Sequence, residues 1–136
     1  MLFDIGHGAG SFSFQVARRA LEQGFTPDTI STDVYYMNIE SPVKDLPTTL
    51  SKFLNLGMSL EDALARVTSH PARAIREPSL GTLEVGGPAD LVVLNLQRGE
   101  FSFLDVLGQT LQGEWLLQCD MTICRGKTVF ERSASS

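Results

Sequence analysis

The chain has 136 residues, 43% of them hydrophobic, and a formal charge of −5. That length predicts one domain burying about two-thirds of its unfolded surface, and the acidic balance argues against a nucleic-acid or anionic-membrane partner. No apolar run reaches the roughly 20 residues that span a bilayer, and the N-terminus lacks the basic-then-apolar order of a signal peptide.

Leu2 to Ile5 predicts a strand. Gly6-His7-Gly8-Ala9-Gly10-Ser11 follows as a loop whose glycines allow close approach of backbone or ligand. Phe14, Val16, Ala17, Ala20 and Leu21 recur at helical spacing, predicting a helix from Phe12 to Gln23 that stops at Gly24. Pro27 opens a second strand through Thr32. Strand, loop, helix and strand make one βαβ unit, so the two strands should be parallel with a right-handed crossover. Val34 to Asp45 reads as irregular. Pro47 then sits in the first turn of a helix through Leu56, with Leu50, Phe53 and Leu54 on one face and Gly57 as its end. Ser59, Glu61 and Asp62 start another helix, running to Ser69, and Pro71 opens a short third one through Ile75.

At Gly81 the character changes. Gly81 to Pro88 is turn chemistry, and Ala89 to Leu96 is a nearly continuous apolar strand. Phe101, Phe103, Trp115, Leu117, Met121, Ile123, Val129 and Phe130 fall in further strand-like segments, with Gly99, Gly108, Gly113 and Gly126 between them. Arg125-Gly126-Lys127 reads as a turn joining two strands, and Trp115 should be at least partly buried. Two architectures therefore meet near Pro78. The tail Ser133–Ser136 is low-complexity and expected to be disordered.

Asp33 ends the second strand, and an irregular polar loop follows it. An acid in that place is where α/β barrels keep their chemistry; the alternative is a carboxylate that caps a turn or the next helix. His7 follows the first strand. Parallel neighbours place their C-terminal ends together, so His7 and Asp33 should face one pocket. Imidazole serves there as a metal ligand or a hydrogen-bond partner for substrate, or alternatively donates to loop carbonyls. The glycine loop before a helix also suits an anion, but it lacks the Walker Lys-Ser/Thr pair and the dinucleotide spacing. His70 reads as structural. Cys119 and Cys124 are five apart on an expected strand, point to opposite faces and cannot pair locally, which fits a reducing cytoplasm; with no nearby His they do not suggest zinc.

Phe3-Asp4-Ile5-Gly6-His7-Gly8, then Gly10-Ser11-Phe12, then Asp28-Thr29-Ile30-Ser31-Thr32-Asp33, resemble the last two barrel strands of metal-dependent amidohydrolases, in the amidohydrolase/deacetylase or dihydroorotase-like branch. Thr68, Pro71-Ala72, Gly81-Thr82-Leu83, Gly86 and Ala89-Asp90-Leu91-Val92-Val93 resemble that superfamily's passage from barrel into a small β-sandwich. Met121-Thr122-Ile123 and Gly126 resemble its closing strands. Tyr35 departs from the pattern, standing where many relatives carry His.

The resemblance implies an α/β fold in which a partial TIM barrel, the last two βα units in residues 1–79, is followed by a partial β-sandwich in residues 80–132, with 133–136 as a disordered tail. It implies that Asp33 is both metal ligand and catalytic proton acceptor, and that His7 and Gly8 lie against the substrate. The family's His-x-His pair, bridging lysine and later histidines have no counterpart here, which implies the C-terminal third of a cytoplasmic enzyme hydrolysing an amide, cyclic amide or N-acyl bond. Its small-molecule amide substrate and a divalent metal, zinc, belong to the full-length enzyme; the chain alone should bind no metal and be inactive. The alternative is a non-catalytic oligomeric α/β module. Either way, open strand edges and a partly exposed Leu50, Phe53 and Leu54 face predict a homo-oligomer, most simply a dimer.

Overall fold

A computed structural model describes residues 1–134; Ser135 and Ser136, the end of the expected disordered tail, lie outside the described residues. The chain is mixed α/β, in the order β1 (Asp4–Gly6), α1 (Phe14–Glu22), β2 (Thr29–Ser31), α2 (Leu46–Asn55), α3 (Leu60–Ala65), α4 (Ser69–Ala74), β3 (Leu91–Leu104), β4 (Thr110–Cys124) and β5 (Lys127–Glu131). No helix among the described residues is long and apolar enough to cross a membrane.

β1 and β2 pair in parallel, with Asp4 opposite Thr29, Ile5 opposite Ile30 and Gly6 opposite Ser31. Both strands are shorter than the sequence predicts. Phe3 gives its N–H to the Asp28 side chain at 2.8 Å instead of to a ladder carbonyl, and Pro27 has no N–H to give. At the other end the left-handed backbone of Asp33, φ 48°, takes the chain out of the sheet. The crossover helix α1 starts after Phe12 because Ser13 caps it, accepting the Val16 N–H, and the Phe12 ring is sunk in the core instead.

α2 is the central element. Asp45 caps it through the Thr48 N–H at 2.7 Å, and Pro47 occupies the first turn, where a missing N–H costs nothing. Every residue from Thr49 to Phe53 is buried, because α2 is packed by the βαβ unit and by the second sheet together. That sheet is an antiparallel meander in the order β3-β4-β5. Gly99 and Gly113, expected between strands, lie inside β3 and β4, next to a register shift between Arg98 and Phe101. Glycine within a strand marks a bulge or a close approach. At Gly113 it is the latter, since a Cβ there would come within 2.4 Å of the Asn55 side chain.

The core runs through both halves of the chain: Phe12, Phe14 and Ile30 from the first, Leu50 and Phe53 from α2, Phe103, Leu111 and Leu117 from the sheet. The expectation that Leu50 and Phe53 would be partly exposed is therefore corrected: they are 2% and 0% accessible. β4 lies over the face that was expected to be bare. Leu54 is half-buried, and so is Trp115, with the Arg98 guanidinium 5.8 Å from its ring centroid.

β5 pairs only with Met121–Cys124, so the preceding part of β4 has an open edge. Side chains of α2 close it. Asn55 Nδ2 donates to Trp115 O at 2.8 Å, Asn55 Oδ1 accepts the N–H groups of Glu114 and Trp115, and Ser51 Oγ accepts the Leu117 N–H at 2.8 Å. Asn55→Ala should lower the unfolding free energy by about 2–4 kcal/mol, because it leaves several partly buried backbone groups without partners. Urea denaturation followed by Trp115 emission checks this, with a lower midpoint at an unchanged slope as the expected result.

Candidate functional site

Side chains alternate along strands, so Asp4, Gly6, Thr29, Ser31 and Asp33 share one face of the β1–β2 pair while Ile5 and Ile30 pack on the other. That first face opens onto a cleft of about 680 Å³ that also takes in Ser11 and Phe12. Asp4 knits the two strands at its base, accepting from Thr29 Oγ1 at 2.7 Å and from Ser31 Oγ at 2.6 Å.

Asp33 is exposed at the C-terminal end of this face. Its positive φ is uncommon outside glycine, and Asp is among the residues that tolerate it. The conformation is held from behind by Asn38, which is fully buried. Asn38 Nδ2 donates to Asp33 O at 3.0 Å, Asn38 Oδ1 accepts the Tyr35 N–H at 2.7 Å, and Asn38 O accepts from the N–H groups of Val43 and Lys44. The carboxylate lies over Gly8, where a Cβ would stand 2.8 Å from Asp33 Oδ2 and where φ is already +54°. A side chain there would be strained and would push the carboxylate aside, whereas glycine adopts this conformation freely. Asp33 does not cap the next helix, since Asp45 does.

His7 takes a different place from the one expected. Its imidazole is 0% exposed, stacked on Phe12 at 4.6 Å, with both ring nitrogens engaged inside the chain. Nδ1 lies 2.9 Å from Gly8 O and Nε2 lies 2.7 Å from Lys52 Nζ. A protonated lysine only donates, so Nε2 is the acceptor and Nδ1 carries the proton to Gly8 O. Placing a ring against Phe12 buries apolar surface that an outward His would expose, which is why His7 and Asp33 do not present their side chains to one pocket.

Lys52 is itself 0% exposed. Besides His7 it donates to Pro42 O and Leu104 O, each at 2.7 Å, so all three of its N–H bonds are used. The Phe12 and Phe14 rings lie about 6 Å away, within reach of a cation–π contact. Burial pushes its pKa down to about 8, against the raising influence of Asp105. Burial and the Lys52 charge also lower the pKa of His7, keeping it neutral, though its hydrogen bond to Gly8 O opposes them. Burial pushes Asp105 up, but the N–H groups of Phe14, Gln109 and Leu107 and the Lys52 charge outweigh it and hold the carboxylate low.

Sequence reasoning passed over Lys52, Asn38 and Asp105. The signal for Lys52 was its position between Leu50 and Phe53 inside the apolar stretch of a helix, where a solvated lysine does not belong. Among the described residues, no group of three or more His, Cys, Asp or Glu side chains is placed to hold a metal ion. Zinc sites take at least three protein ligands, so the residues of this chain do not by themselves fit such a centre, to which Asp33 offers a single carboxylate.

A sequence profile of the amidohydrolase family matches residues 52–130. The chain belongs to the amidohydrolase family. A deacetylase of Enterococcus faecalis is 38% identical to this amidohydrolase chain over 128 residues, which are 93% of the chain and 35% of the relative. The crystal structure of an adenine deaminase superposes with a TM-score of 0.92 at 37% identity, over 97% of this chain and 36% of that one. The crystal structure of a dihydroorotase gives a TM-score of 0.87 at 35% identity, over 94% of this chain and 35% of that one. The chain thus spans about a third of the length of each of these three relatives.

The buried ammonium makes stability depend on pH in a defined direction. Lys52 is held near 8 in the fold against 10.5 ordinarily, so between those values the unfolded chain binds the extra proton and stability rises with pH. The rise should approach about 1.4 kcal/mol per pH unit at its steepest, and level off above the upper value. Chemical denaturation at a series of pH values measures it, and Lys52→Met should flatten the profile across that window.

Proposed function

We propose that this chain is the closing part of a metal-dependent amidohydrolase that hydrolyses an amide, cyclic amide or N-acyl C–N bond of a small molecule. Asp33 carries the reading. It is an exposed carboxylate at the C-terminal end of a parallel strand, held in a strained conformation and left without a capping duty. That is where barrel enzymes place catalytic groups. Its part would be to serve as one ligand of the metal and to accept a proton from the attacking water. Gly8 keeps space beneath the carboxylate for that contact, and His7 supports Gly8 from the core instead of meeting substrate itself. A divalent metal, zinc first among candidates, would belong to the whole enzyme, with Asp33 as the one ligand this chain offers, and would supply Lewis acidity there.

In the same reading residues 1–79 form the last two βα units of a barrel and residues 80–132 strands of a small β-sandwich, joined through α2. The names of the relatives, deacetylase, adenine deaminase and dihydroorotase, support C–N bonds as the class of target. Free Cys119 and Cys124 support a cytoplasmic setting.

The test is made at two levels. The chain alone should retain well under one zinc per molecule after dialysis and release no amine, ammonia or carboxylate from N-acyl amino acids or cyclic amides. In the longest product of the reading frame that contains it, Asp33→Asn should cut turnover by 10²-fold or more while moving thermal stability by no more than about 1 kcal/mol, since an exposed carboxylate has few contacts to lose. Full turnover in that variant overturns the assignment.

A homo-oligomer is part of the proposal. Leu2 and Phe3 are exposed beside β1, and Leu91, Val92, Val93, Val129 and Phe130 are exposed at the far end of the second sheet. Exposed apolar strands recruit other chains, so light scattering across a concentration series should give a dimer mass; a monomer at high micromolar concentration contradicts it.

A further inference from the structure

Two backbone segments flank Asp33, the Gly6–Ser11 loop and the loop of residues 34–45, and one buried side chain ties both. We propose that Lys52 is a positioning residue for the Asp33 carboxylate. The proposal rests on the reading of Asp33 given above, and adds to it the device that holds the group in place.

The first route runs through His7. Lys52 Nζ fills the lone pair of His7 Nε2 at 2.7 Å, which fixes the proton on Nδ1, and Nδ1–H in turn grips Gly8 O at 2.9 Å. The same residue, Gly8, gives its N–H to Thr32 O at 2.9 Å, and it lies against the Asp33 carboxylate, where a Cβ would stand 2.8 Å from Oδ2. A His7 with the proton on Nε2 would have no hydrogen to offer Gly8 O, and the loop under Asp33 would lose its side-chain anchor, keeping only the backbone bonds of His7 and Gly8 to β2 and Thr32.

The second route runs through the other loop. Lys52 holds Pro42 O at 2.7 Å. The next N–H groups along, those of Val43 and Lys44, bond Asn38 O, and Asn38 Nδ2 bonds Asp33 O. The first route ends on the glycine beneath the carboxylate, and the second on Asp33 itself, whose φ of 48° is uncommon outside glycine. The third N–H bond, to Leu104 O, fixes the hub itself to the end of β3. An ammonium suits this work because it has three donors on a compact head and no acceptor.

Asn55 supplies the comparison. It lies on the same helix and is also a polar cross-link to the sheet, but its partners are Ser51 and β4, and no bond leads from it to Asp33. If Lys52 were only a structural cross-link, the two residues would behave alike.

The experiment is nitrogen and amide NMR on the chain, wild type against Lys52→Met and Asn55→Ala. In the wild type His7 should be the neutral Nδ1-protonated tautomer, and the Lys52 Nζ protons should exchange slowly. In Lys52→Met the His7 ring should leave that single tautomer. The amide signals of Gly8, Asp33 and Val34 and the side-chain amide of Asn38 should shift or broaden, while those along β4 and along β3 away from its Leu104 end stay in place. Asn55→Ala should lower stability and leave the Asp33 group of signals unmoved. A wild-type His7 protonated on Nε2 or on both nitrogens overturns the proposal even if Lys52→Met fails to fold. So does a Lys52→Met spectrum unchanged around Asp33. These readouts do not need turnover: if they appear and Asp33→Asn leaves hydrolysis intact in the longer product, the positioning stands and the catalytic assignment falls.

Discussion

An ammonium group is buried without a carboxylate in contact with it, and the rest of the molecule is arranged to make that tolerable. Removing a lysine charge from water costs several kcal/mol even after relaxation. Lys52 meets the cost with three short hydrogen bonds to neutral acceptors, two aromatic rings at its flank and the nearby Asp105. Asp105 is held in turn by three backbone N–H groups, including that of Phe14 at the start of α1. The acceptors of Lys52 come from three stretches distant in sequence, so the ammonium is satisfied only when all three are folded around α2. A charge of this kind penalises every incomplete arrangement, since losing one acceptor leaves a buried N–H bond unmade.

The same helix joins two architectures. The βαβ unit and the antiparallel meander form two separate sheets, and both pack against α2. One side of α2 supplies apolar contact, with Leu50 and Phe53 in the common core. Its polar residues do separate work: Lys52 faces the βαβ loops, while Ser51 and Asn55 close the open edge of β4. Covering an edge with side-chain donors and acceptors answers the same hazard that other proteins answer with charge or proline. The far end of the meander has no such cover, and its apolar side chains stay exposed.

The site is built from these constraints. The exposed Asp33 makes few contacts through its carboxylate, so what fixes it is its backbone, held from behind by Asn38, with Gly8 beneath the carboxylate. Residues at functional sites are commonly held in conformations that the surrounding structure over-determines. Here the surrounding structure is a polar network with one lysine at its centre, which links the geometry around Asp33 to the packing of the second sheet.

The local elements were legible in the sequence because they depend on near neighbours. Helical spacing marked α1, helical spacing with Pro47 in the first turn marked α2, and the Ser59 cap with its first-turn acids marked α3; the βαβ order dictated parallel pairing of β1 and β2, and turn chemistry at Arg125-Gly126 marked the last hairpin. Asp33 could be picked out by its place at the end of a strand. What the sequence could not say is where side chains on a buried helix find partners. A lysine at position 52 reads as solvated until β3, the loop after Asp33 and the His7 loop are seen to converge on it, from as far as 52 residues away along the chain. For the same reason His7 was expected beside Asp33: strand order fixes which end of the sheet a residue occupies, but only the packing of Phe12 and Lys52 decided which way its ring turned. Leu50 and Phe53 are buried on the same ground, because it takes the tertiary fold to bring β4 across them.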